Sequence, residues 1–96
     1  MDVSFEWDAK KASINLCKHG VSFEEASTVF DDPLAAIFDD EEHSIQETRE
    51  IILGHSIKNR LLLVCFTERA NNVIRIFSTR LPTKKEKKDY EENNKL

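Results

Sequence analysis

The chain has 96 residues, a formal net charge of −4 and two cysteines. That length makes one domain with a modest core, and with no apolar run near the ~18 residues of a membrane span and no leader pattern at the start, a cytoplasmic chain without membrane partners is expected. Overall acidity argues against a simple nucleic-acid binder, but residues 1–56 carry 4 Lys/Arg against 13 Asp/Glu, and residues 57–96 carry 10 against 5. This asymmetry fits a polyanion-binding face with an acidic back, and equally two halves that neutralise one another.

Taken in order, Val3 to Trp7 alternates apolar and polar residues, the mark of a half-buried strand. Asp8 caps a helix predicted over Ala9 to Lys18, with Ala9, Ala12 and Leu16 on its apolar face and Gly20 as its left-handed stop. Ser22 and Glu25 have the spacing of a capping box, Val21 and Ala26 that of a hydrophobic staple, and Asp31-Asp32-Pro33 ends this second helix. Leu34 to Phe38 reads as a short strand, Asp39 to His43 as a solvated acidic loop, and Glu47 to Leu53 as another strand. Leu61 to Phe66 is an unbroken apolar run, expected as a central strand buried on both faces. Asn71-Asn72 suits a hairpin turn leading into a last strand from Val73 to Thr79. Thr83 and Glu86 form a second capping box for a helix from Lys84 to about Asn93, whose one large apolar residue is Tyr90. Cys17 and Cys65 have no metal-ligand spacing and read as two buried reduced thiols.

Two helices followed by consecutive strands define an α+β domain with an antiparallel meander. Strict alternation along the last strand places Arg75, Phe77 and Thr79 on one face and Ile74, Ile76, Ser78 and Arg80 on the other. Lys84 and Lys85 fall in the first turn of the last helix, at the positive end of its dipole, where they either seat a bound anion or belong to a surface helix tuned for solubility. His19 follows Lys18 at a helix end, where a cation merely complements the dipole or where a proton is exchanged.

Several separated motifs now combine. They are FEWD at Phe5 to Asp8, Lys11, Asn15, KHGVSFEEA at Lys18 to Ala26, VFDDP at Val29 to Pro33, TER at Thr67 to Arg69, RIFSTR at Arg75 to Arg80, and a basic helix reaching Tyr90-Glu91. In this order they resemble the BrnT family of small bacterial toxins over nearly the whole chain. The resemblance implies a RelE-like fold, with two N-terminal helices on an antiparallel sheet of three to four strands and a C-terminal basic helix. It implies a type II toxin–antitoxin ribonuclease that inhibits translation by cutting RNA, with no cofactor and no metal. The implied partner is a BrnA-like DNA-binding antitoxin, in a hetero-oligomer that binds operator DNA. On these grounds Arg75 and Arg80 are expected to hold the scissile phosphate with help from Lys84. His19 or Tyr90 would move a proton, and Lys18, Arg69 and Lys85 would contact RNA phosphates. The competing reading is a non-catalytic module that grips an antitoxin or a nucleic acid.

Overall fold

The strand β4 (Leu61–Arg69) runs through the middle of the molecule. The computed structural model describes residues 2–43 and 47–93, the side chain of His43 excepted. Four further strands, β1 (Ser4–Glu6), β2 (Ala36–Asp39), β3 (Glu50–His55) and β5 (Val73–Arg80), complete one sheet in the order β1-β5-β4-β3-β2. The meander β2 to β5 is antiparallel as expected, but β1 lies parallel beside β5. The sheet is therefore mixed and five-stranded rather than an antiparallel sheet of three to four strands. The short N-terminal strand satisfies backbone groups that would otherwise stay unpaired along the edge of β5.

Alternation divides β4 between two cores. Leu62, Val64 and Phe66 join Val21, Phe23, Ala26, Ile74 and Ile76 beneath α1 (Ala9–His19) and α2 (Phe23–Ser27). Leu63 points the other way, packing with Leu53 of β3 and Tyr90 of α3 (Lys84–Asn93). We call this second side, covered at one end by α3, the open face. Among the described residues no helix is long and apolar enough to cross a membrane.

The predicted helix ends hold. Asp8 accepts from the backbone N–H groups of Lys10 and Lys11 at 2.8 and 3.1 Å, and Gly20 takes φ 70° at the C-terminus of α1. What fixes α1 to the sheet is polar, however. Leu16 stays exposed, while Asn15 is buried. Its amide donates to the carbonyls of Val21 (3.1 Å) and Thr79 (2.9 Å), and its own carbonyl accepts from the Thr79 N–H at 3.2 Å. Cys17 is exposed and Cys65 half-buried, so the two thiols are not both core residues as expected.

Only half of the first capping box forms as predicted. The Glu25 N–H donates to Ser22 Oγ at 3.0 Å, but the Glu25 carboxylate turns inward to Arg60 Nε (3.0 Å) and Ser56 Oγ (2.7 Å). Its side chain is 3% exposed, and a charge buried that deeply requires a charged partner more than a helix end requires a cap. The guanidinium of Arg60 holds this carboxyl below the usual range, against the opposing effect of burial. α2 is correspondingly short and passes into a 3-10 turn over Thr28–Asp31. Gly54, in β3, lets this segment approach closely: a Cβ there would stand 2.7 Å from Ala35 Cβ and 3.0 Å from Asp32 Oδ2.

The hairpin between β4 and β5 turns at Asn71 and Asn72, with φ 65° and 59°, in the left-handed region that asparagine tolerates. Beyond it the ladder is irregular. Phe66 pairs with Ile76 but Cys65 pairs with Ser78, so Phe77 is an extra residue on β5. The bulge inverts the alternation. Thr79 pairs with Val64 and is buried on the helix side, while Arg80 pairs with Leu63 and joins Arg75 on the open face. The alternation expected from sequence, with Thr79 beside Arg75 and Arg80 beside Ile76, is corrected by this one inserted residue.

Candidate active site

The open face of β5 gathers most of the chain's arginines. Arg75 and Arg80 stand on β5, Arg69 ends β4, and Arg49 precedes β3 with its guanidinium 3.8 Å above the centroid of the Phe77 ring. Two of them meet at one atom. Glu6 is the parallel-strand neighbour of Arg75, and its Oε2 lies 3.0 Å from Arg75 Nη1 and 3.3 Å from Arg69 Nε. Arg69 also reaches Glu47 at 3.5 Å, and Glu47 stands 3.7 Å from Arg49. The result is a line of alternating charges along one end of the face. Its members are a quarter to a half exposed: Arg75 at 29%, Arg69 at 45% and Glu6 at 42%. Exposed pairs of this kind add little stability, so their arrangement is more informative about what they hold than about folding.

Arg80 lies at the opposite end of β5, roughly 16 Å from Arg75 at the usual strand rise. Its fork grips Glu86 through Nη1 at 2.8 Å and Nη2 at 3.0 Å. Glu86 completes the second predicted capping box, accepting from the Thr83 N–H at 2.7 Å while its own N–H donates to Thr83 Oγ1 at 3.2 Å. The Arg80 guanidinium holds the Glu86 carboxyl well below the usual range, at about 2. A carboxyl depressed in the folded state adds stability above its ordinary value and loses it as pH falls toward the folded value. Glu86→Gln is therefore expected to flatten the decline in urea stability between about pH 4.5 and pH 2. An unchanged slope would show that Arg80 and Glu86 do not pair in solution.

The sequence-predicted residues divide into three places. Arg69, Arg75 and Arg80 share the open face, with Lys84 and Lys85 exposed in the first turn of α3, just beyond Arg80. Lys18 and His19 form the last turn of α1, on the layer across the sheet from the arginines. Tyr90 is buried, at 6% exposure, packed on Leu53 and Leu63. Its hydroxyl donates to the Leu34 carbonyl at 3.4 Å, and burial together with the nearby Asp32 carboxylate raises its pKa. The geometry thus joins Arg75 to Arg69 rather than to Arg80 or His19, and makes Tyr90 an anchor of α3. Sequence reasoning missed Glu6. The available signal was its place in FEWD, on a strand whose partner was not foreseeable from β-periodicity alone.

Fold and face together define a small α+β protein whose sheet presents arginines and their carboxylate partners to solvent. The family described as the ribonuclease toxin, BrnT, of type II toxin–antitoxin systems matches residues 7–86, and the chain belongs to it. Among solved structures, the ribonuclease toxin BrnT of Brucella abortus is similar in fold, with a TM-score of 0.65 at 19% identity, over 86% of this chain and 100% of that one. No curated protein gives a significant match.

Proposed function

We propose that the chain is an endoribonuclease that cuts RNA by attack of a ribose 2′-hydroxyl on the adjacent phosphate, without a metal, and so inhibits translation in the cytoplasm. The observation that carries this reading is the convergence of Arg69 and Arg75 on a single anionic oxygen. Each guanidinium has five N–H donors in a rigid fork, so both retain donors for a phosphodiester arriving beside Glu6. Charge that builds on the phosphorane oxygens in the transition state is what such fixed donors stabilise. Arg80, Lys84 and Lys85, farther along the face, would meet neighbouring phosphates of an extended strand, and Phe77, which carries the Arg49 guanidinium on its ring, lies between Arg75 and Arg80. Family membership supports neutralisation by an antitoxin, which we take to be a BrnA-like DNA-binding protein that carries the complex to operator DNA.

The test is incubation of the purified chain with single-stranded RNA in excess EDTA. Fragments ending in 2′,3′-cyclic phosphate and 5′-hydroxyl are expected, together with growth arrest on induction that the neighbouring reading frame relieves. RNA left intact, with or without added divalent ions, would leave the non-catalytic reading in its place.

A further inference from the structure

Resting on that reading, we infer that Glu6 is the general base of the cleavage. Attack by a 2′-hydroxyl requires a proton acceptor within hydrogen-bond reach of it, and therefore beside the phosphate. His19 lies in the other layer and Tyr90 is buried between α3 and the sheet, so neither stands beside Arg69 and Arg75. Glu6 does. Its place is set by the parallel pairing of β1 with β5, which aligns Glu6 with Arg75 on one face of the sheet. The two guanidiniums hold Oε2, and among the described residues no hydrogen bond is made to Oε1, which is therefore the oxygen to meet a substrate hydroxyl. The same two arginines therefore orient the carboxylate and seat the phosphate next to it.

Glu47 is another carboxylate at this end, but it touches Arg69 only at 3.5 Å and otherwise faces Arg49. Asp8 is already committed to the backbone of α1.

The step balances without a cofactor. The 2′-hydroxyl proton passes to Glu6, the 2′-oxygen forms a bond to phosphorus, and the phosphorus–5′-oxygen bond breaks. The departing 5′-oxygen takes a proton from solvent water, and Glu6 returns its own proton to solvent. The products are a 2′,3′-cyclic phosphate and a 5′-hydroxyl.

The experiment compares wild type, Glu6→Gln and Glu6→Asp on a mixed-sequence single-stranded RNA oligonucleotide, recording kcat, KM and their dependence on pH. Removing a general base typically costs 10²–10⁴-fold, so Glu6→Gln is expected to lower kcat by about 100-fold or more. KM is expected to stay within about threefold, because the arginines remain, and the acidic limb of the wild-type profile is expected to vanish. Glu6→Asp keeps the charge at shorter reach and is expected to retain that limb with roughly tenfold lower kcat. A wild type that leaves RNA uncut overturns the ribonuclease reading and this assignment together. A wild type that cuts RNA while Glu6→Gln cuts within threefold of it, or keeps the acidic limb, overturns the assignment of Glu6 alone.

Discussion

Arg75→Ala is expected to lower kcat for RNA cleavage by about 10²–10³-fold, the usual consequence of removing one fixed donor from a developing oxyanion. In the proposed reaction Arg75 would act twice: it would offer N–H groups to the phosphate, and it holds Glu6 Oε2 at 3.0 Å. Stability should barely change, because the pair is 29% and 42% exposed and contributes little to folding. Arg75→Lys is the informative companion, since it keeps the charge and loses the fork; activity between wild type and Arg75→Ala is expected. Full cleavage by Arg75→Ala would place the scissile phosphate elsewhere on the face. Arg80→Ala, by contrast, removes a group already committed to Glu86, so its larger effect should appear in KM for longer substrates.

A large loss of stability is expected from Asn15→Ala. The substitution deletes all three hydrogen bonds between the Asn15 side chain and the backbone of Val21 and Thr79. Thr79 would keep a buried N–H and a buried carbonyl without these partners, at about 1–3 kcal/mol for each group left unsatisfied. A total near 3 kcal/mol is expected in urea unfolding, a large part of the stability of a domain this size. Asn15→Asp preserves the acceptor for the Thr79 N–H but not the two donors, and should also destabilise. If Asn15→Ala cost less than about 1 kcal/mol, water would have to replace the amide at this position.

Local signals in the sequence were reliable where the governing chemistry was local. Asp8, Gly20 and the pair Thr83–Glu86 end their helices as their side chains and spacing require. Leu61 to Phe66 is a doubly buried strand because nothing but another apolar layer can cover such a run on either side. Failures occurred where a distant partner decided the outcome. Glu25 left its helix end for Arg60, 35 residues away. Asn15 was buried by a strand 64 residues away rather than left on a polar helix face. The bulge at Phe77 has no signature in β-propensity, yet it alone brings Arg80 to the face of Arg75. Candidate cations were therefore legible as residue types, whereas their grouping was not. The carboxylate that joins Arg69 to Arg75 comes from the opposite end of the chain, and alternation within single strands carries no information about that pairing.

That pairing also has a bearing on the order in which this end of the face can form. Glu6 and Arg75 are 69 residues apart, and the parallel contact between their strands closes only when β5 is present. A fragment ending before Val73 holds Glu6 and Arg69 but not Arg75. Synthesis proceeds from the N-terminus, so Glu6 is made long before the arginine it pairs with. The grouping of these charges is therefore a late product of folding, made only once β5 has paired with β1.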